Sequence, residues 1–281
     1  MLCRTGVRSI SGEDRYPARL RDGGLRGHCT RFVCVLVLFL VPDSVIFSEE
    51  TQQGSTSAAA DSAIVLEAFD YPEQIGQFPD TWEGRSGWRR VKKGLYYTIE
   101  EEEGNTYLHA ETTGMAIDAG RSADVNLRIY NRLRWRWRVT SLPMGGNEEI
   151  EEKNDSGAGV RLVFLGGIIP KTLKYVWSAS LPVGTETVSP TNDRTRVIVL
   201  KRGMRNAGKW VWEEVNAYED YKRVFGGEPR PVKSIAVITD SDNTNTYVEA
   251  DYDDFLFLKS PERAPTEERE ETHQDSLETL P

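Results

Sequence analysis

Seven consecutive residues constrain this chain more than any others: Leu133-Arg-Trp-Arg-Trp-Arg-Val139. Apolar and charged side chains alternate with a period of two, the pattern of a β-strand with one buried and one solvated face. Leu133, Trp135, Trp137 and Val139 share one face, and Arg134, Arg136 and Arg138 share the other. A helix would scatter the three arginines around its circumference.

Short segments of similar character recur along the chain with turn residues between them. They are Ile64–Phe69, Leu95–Glu100, Tyr107–Ala110, Val125–Ile129, Val160–Leu165, Thr172–Ser180, Thr195–Lys201, Lys209–Asn216, Ser234–Thr239 and Tyr247–Leu258. Asp70–Gly87, which holds Phe78, Pro79 and Trp82, reads as a long irregular loop. Tyr218, Tyr221 and Phe225 recur at helical spacing, so Ala217–Phe225 is expected to form one short helix. No β–α alternation exists, which excludes a parallel α/β sheet. The expectation is an all-β fold, a two-sheet antiparallel β-sandwich of jelly-roll type over residues 63–259.

The two ends read differently. Val33–Val41 is a continuous apolar run, too short to span a bilayer but the right length for a secretory core, with Arg26 and Arg31 before it. Residues 1–48 are therefore expected to be a signal peptide with an over-long leading region, or else an uncleaved membrane anchor. Residues 49–62 are expected to be a flexible leader, and 260–281 a disordered acidic tail. These features place the protein outside the cytoplasm, secreted or periplasmic, with no stable membrane span.

Charge narrows the partners. Residues 1–47 carry seven Arg and four acids, a net of +3, so the whole-chain charge of −9 leaves −12 for the remainder. Such a surface repels phosphate backbones and excludes nucleic acid as an expected partner. All three cysteines fall within the first 34 residues, which leaves the domain without a thiol nucleophile or a Cys-based zinc site. His109 is the single histidine of the domain, on an expected strand, and reads as structural.

Two groups of residues carry candidate chemistry. Asp240-Ser-Asp-Asn-Thr244 puts alternate oxygen side chains on a tight loop, as a hard cation requires, and Asp240 and Asp242 are the candidate ligands. An EF-hand is excluded, because its sixth position is Asn245 and its twelfth Asp251. A second cation option joins the domain's ends: Glu67 and Asp70 by the first strand, Asp253 and Asp254 in the last. Alternation places Asp253 on the face of Phe255 and Phe257, where a carboxylate would need a partner or a structural calcium. The other group is a ligand-binding face of Trp177, Trp212, Glu214 and Asn216, with Arg161, Asn192 and Arg196 converging on it. Indole faces stack on sugar rings while amides, guanidinium groups and carboxylates bond the hydroxyls. The acidic run Glu148–Glu152 with Asp155 reads as a solvated hairpin tip.

From Phe78 to Phe257 the chain resembles an uncharacterised bacterial family, the domain of unknown function numbered 3047. The resemblance rests on Leu133–Val139; Tyr175-Val-Trp177 with Gly184-Thr185 and Ser189-Pro190; Gly208-Lys-Trp210 with Glu213 and Asn216; Asp220-Tyr221 with Phe225-Gly226; and Thr239–Thr244. The chain departs from the family pattern at Ser156-Gly157, where an acid and an aromatic are expected, and at Val215, where an Arg is expected. The family supplies no established reaction. More loosely, the layout resembles the jelly-roll sandwiches common among carbohydrate-binding modules and glycan-active enzymes, an analogy of fold. The expected role is non-catalytic recognition of a polysaccharide or cell-envelope glycan. A glycan-active hydrolase or lyase using carboxylates, and a structural module for protein interaction, are the alternatives.

Overall fold

A computed structural model of the chain describes residues 62–86, 89–90, 96–166 and 169–260. The expected signal peptide, and all but one residue each of the expected leader and tail, lie outside them. In chain order the strands are β1 (Ala63–Glu67), β2 (Glu83–Ser86), β3 (Arg89–Arg90), β4 (Tyr97–Glu102), β5 (Asn105–Thr113), β6 (Ala116–Val125) and β7 (Arg132–Ser141). They continue with β8 (Ala158–Phe164), β9 (Lys171–Ser178), β10 (Glu186–Ser189), β11 (Asn192–Arg202), β12 (Val211–Val215), β13 (Val232–Asp240) and β14 (Tyr247–Leu258). Helix α1 (Ala217–Phe225) precedes β13. Its first amide turn is capped by the side chain of Asn216, which accepts from the Glu219 amide.

The strands form a two-sheet β-sandwich. A six-stranded sheet runs β12-β7-β14-β5-β4, with β1 paired to the C-terminal half of β14; an eight-stranded sheet runs β10-β11-β9-β8-β13-β6-β2-β3. The antiparallel expectation holds for every pair except β9 and β11, which run parallel because β10 forms a hairpin with β11 at the sheet edge. The first and last strands pair side by side, Ile64 against Phe257.

The alternation of β7 survives intact: Leu133, Trp135, Trp137 and Val139 are all fully buried. Trp135 and Trp137 meet edge to face at 5.3 Å, Trp135 reaches Tyr175 at 5.8 Å and Trp137 reaches Trp177 at 5.9 Å. These rings tie the central strand of one sheet to β9 of the other. Aromatic pairs at such separations add about 1 kcal/mol each beyond their buried area.

Strand β14 corrects the expectation for Asp253. The register against β7 shifts between Asp253 and Leu256, and Asp254 has a φ of +55°. A β-bulge inserts one residue and flips the alternation beyond it. Val248, Ala250 and Tyr252 face the core before the bulge, and Phe255 and Phe257 face it afterwards. Asp253 therefore points to the opposite face, toward Arg136, whose Nη2 donates to it at 2.6 Å.

Candidate functional site

A sandwich has two outer faces on which a ligand could lie, and this chain builds them differently. On the six-stranded sheet the alternation of β7 sends Arg134, Arg136 and Arg138 outward, and cross-strand pairing sets Trp212 of β12 opposite Arg136. The guanidinium of Arg134 lies over the Trp212 ring at 4.3 Å, and those of Arg136 and Arg138 lie over Trp210 at 4.9 and 4.8 Å. The same arginines bond the carboxylates of β14. Arg138 donates to Asp251 at 2.6 Å, Arg136 bonds both Asp253 and Asp254, and Asp251 also bonds His109 Nδ1 at 2.7 Å. Burial lowers the His109 pKa, but its hydrogen bond to Asp251 and the charge there raise it further, for a net rise. Burial pushes Asp253 up to about 6, although Asn105 and Arg136 both donate to its carboxylate. Rings, cations and acids on this face already satisfy one another.

The outer face of the eight-stranded sheet is partly covered and partly open. The β7–β8 connection, residues 142–157, folds back over one end of it. Glu148 and Asp155, expected at a solvated tip, are instead fully buried, while Glu149, Glu151 and Glu152 stay exposed. Each buried acid has found donors. Ser178 Oγ donates to Glu148 at 2.6 Å, and the amides of Asn243 and Thr244 donate to Asp155 at 3.1 and 2.6 Å. Lys174, also buried, donates to Ser156 Oγ at 3.0 Å. Ser156 and Gly157 are where the family pattern is broken. A side chain at Gly157 would meet Leu142 Cδ2 at 2.1 Å, so an aromatic there requires a different seat for the loop.

Beyond that loop, toward β2, the face opens into a groove of about 470 Å³. Its floor is made of small residues from neighbouring strands, Gly120 and Ser122 of β6 with Ser234 and Ala236 of β13. Gly120 sits opposite Ala236, and a Cβ on it would lie 2.9 Å from the Ile235 carbonyl, so the floor is the sheet backbone itself. Asp118, Glu83 and Thr81 stand along the walls. Arg161 of β8 reaches across β13, passing the small side chain of Ala236, and its Nη1 donates to both Asp118 oxygens at 2.7 Å. None of the described residues lining the groove is aromatic.

The seven residues expected on one ligand face are not brought together. Trp177 is 1% exposed and donates its indole N–H to the Gly203 carbonyl at 3.0 Å, so neither of its ring faces is open to a ligand. Trp212 and Glu214 share the outer face of the six-stranded sheet as the alternation predicted, with Trp212 under Arg134 and Glu214 paired to Arg132. Asn216 is the cap of α1. Asn192 and Arg196 belong to β11, where Asn192 accepts from the Arg194 amide and Arg196 bonds the carbonyls of Val224 and Asp193. Of the set, only Arg161 reaches the groove wall, through Asp118. The groove residues themselves went unnoticed because each is small or lies on a weak strand.

The expected cation ligands separate in the same way. Glu67 is buried among donors, accepting from the Phe69 amide at 2.9 Å, Trp82 Nε1 at 2.8 Å, the Tyr71 hydroxyl at 3.2 Å and Arg121. Asp70 is exposed, and Asp253 and Asp254 belong to Arg136. Asp240 and Asp242 come together with Asp155, with one carboxylate oxygen of each lying within 4.8 Å of the others. Among the described residues this is the one such group of acids. Burial pushes Asp240 up to about 8, opposed by the charge of Lys174 and reinforced by Asp155 and Asp242.

Solved structures of distant sequence are similar to the chain at low TM-scores. A family 11 carbohydrate-binding module of a cellulosomal cellulase of Clostridium thermocellum is 10% identical, with 72% of this chain and 96% of that one covered at a TM-score of 0.38. The K1 cleaved adhesin domain of Lys-gingipain from Porphyromonas gingivalis W83 is 10% identical, covering 71% and 99% at a TM-score of 0.33. CBM28, a module specific for non-crystalline cellulose, is 15% identical, covering 69% and 93% at a TM-score of 0.31. No curated protein matches the chain. The family model for DUF3047, described as a protein of unknown function, matches residues 80–256, and the chain belongs to that family.

Proposed function

We propose that the chain binds a glycan, without transforming it, in the groove on the outer face of the eight-stranded sheet. One observation carries this reading. A floor of small side chains exposes a strip of sheet, and polar groups of both charge signs rise beside it: Asp118 with Arg161, Glu83, Ser122 and Ser234. A chain of sugar hydroxyls needs such a row of donors and acceptors on a surface flat enough to approach. The Asp118–Arg161 pair fits binding better than proton transfer. Both carboxylate oxygens are held by one guanidinium, which fixes them as acceptors. The described lining residues offer hydrogen bonds, and recognition is expected to rely on them.

The apolar run Val33–Val41 supports a secreted or periplasmic location, where polysaccharide is encountered. Among the described residues no helix is long and apolar enough to cross a membrane.

The test is a panel of soluble polysaccharides in affinity electrophoresis, with positives measured by calorimetry. The expected result is that at least one glycan binds and that Arg161→Ala weakens it about tenfold or more while leaving the melting temperature within a few degrees. Failure of every glycan to bind, or an Arg161→Ala protein that binds as wild type does, would contradict the reading.

A further inference from the structure

A second site lies under the β7–β8 loop, apart from the groove floor. Asp155 comes from that loop, Asp240 from the end of β13 and Asp242 from the turn into β14, and their oxygens lie within 4.8 Å of one another. Two oxygens on opposite sides of a calcium ion, each about 2.4 Å from it, are separated by about 4.8 Å, so the spacing suits one shared ion.

Three acids near one another prove little alone, but Asp240 adds a separate observation. The residue is 5% exposed, and its Oδ1 is buried without a hydrogen-bond partner. A buried carboxylate oxygen normally finds a donor, and one that does not costs free energy unless a cation faces it. The charge of Lys174 acts on Asp240, but its ammonium bonds Ser156 Oγ and makes no hydrogen bond to Asp240 Oδ1.

The surrounding charge agrees. Arg161 is matched by Asp118. What remains around Lys174 and Asp240 is Lys174 against Glu148, Asp155, Asp240 and Asp242, one positive charge against four negative, a formal −3. Donors already satisfy part of this set: Ser178 serves one oxygen of Glu148, whose Oε1 has no partner among the described residues, and two backbone amides serve Asp155. Among the described residues no donor reaches Asp240 Oδ1.

We propose that Asp155, Asp240 and Asp242 bind a divalent, oxygen-seeking cation, with calcium best suited to an all-carboxylate set. The ion joins two stretches distant in sequence: the β7–β8 loop, and the end of β13 with the turn that follows it. Its role is to hold the loop over the sheet. The amides of Asn243 and Thr244 keep Asp155 oriented toward the turn that supplies Asp242.

The experiment uses the full chain, stripped with chelator and then titrated with CaCl2 by calorimetry and thermal melting. A single saturable binding event is expected, with a melting temperature raised by roughly 5–10 °C at a hundredfold excess over Kd. Asp242→Asn changes an exposed residue and should fold normally, yet weaken calcium binding at least tenfold. Asp240→Asn should abolish binding and, in chelator, melt higher than wild type because it replaces a carboxyl group whose ionisation burial disfavours. Asp70→Asn, an exposed acid elsewhere, should bind as wild type does. The proposal is overturned if Ca²⁺, Mg²⁺ and Mn²⁺ all leave the wild-type heat and melting temperature unchanged. It is equally overturned if Asp242→Asn binds calcium with wild-type affinity.

Discussion

The two outer faces of this sandwich are made from different kinds of residue and to opposite effect. On the six-stranded sheet, long side chains stand opposite one another, so Arg134, Arg136 and Arg138 find Trp210, Trp212, Asp251 and Asp253 within reach and the face closes on itself. On the eight-stranded sheet, Gly120, Ser122, Ser234 and Ala236 leave a strip of backbone uncovered, and polar groups remain beside it. A face rich in tryptophan can thus be structural, while the proposed binding surface has small and polar side chains among its described residues. Ring count alone does not locate a carbohydrate site; what the rings already touch does.

The contrast makes graded predictions. The largest effect is expected from Arg136→Ala, which leaves fully buried Asp253 without its cation and strips a guanidinium from Trp210 and Trp212. Breaking a buried pair from one side costs about 3 kcal/mol or more, measurable by urea unfolding at pH 8. At pH 5 the deficit should shrink, because the folded protein takes up a proton on Asp253, whose pKa lies at about 6. An unchanged deficit would show that Asp253 is not the group responsible.

A second effect is pH dependence in the wild-type protein. Asp253 and His109 are both shifted upward. A group with a raised folded pKa adds stability that is complete below its unfolded pKa and is lost as pH rises through the folded one. For Asp253 that loss falls between about pH 4 and 6, and for His109 it begins above 6.5. Melting temperature should therefore decline from pH 5 to 8 through these two groups together with Asp240, whose pKa is raised to about 8. His109→Gln should flatten the upper part of the decline; a mutant curve parallel to wild type would remove His109 from the account.

Smaller still is Trp212→Ala. Its ring is 45% exposed and held under Arg134, a contact of about 1 kcal/mol, and its loss should leave glycan binding intact. The smallest stability change is expected from Ser234→Trp, which places a large ring over the groove floor from a half-buried position and should move stability by less than about 1 kcal/mol.

What the sequence revealed follows from how local the signals were. β7 and β14 alternate strongly over many residues, and α1 carries its own cap and spacing, so all three appear where expected. The bulge at Asp253–Asp254 was hidden because an inserted residue leaves no mark on composition, and it reversed the side on which Asp253 lies. Burial of Glu148 and Asp155 was equally hidden. An acidic run looks the same whether its members are solvated or caught by Ser178 and the amides of a turn some 90 residues away. Asp240 and Asp242 were legible as a pair of oxygen donors, but Asp155 joins them only through the folded loop. The groove was the least legible feature, because its floor joins small residues of two strands that pair only in the fold.

The most direct measurement of the central claim is glycan affinity for three proteins side by side: wild type, Ser234→Trp and Trp212→Ala. Binding retained in Trp212→Ala and lost in Ser234→Trp, with both melting within a few degrees of wild type, is the predicted result. Binding lost in Trp212→Ala and retained in Ser234→Trp would place the ligand on the six-stranded sheet and contradict the assignment of the open face.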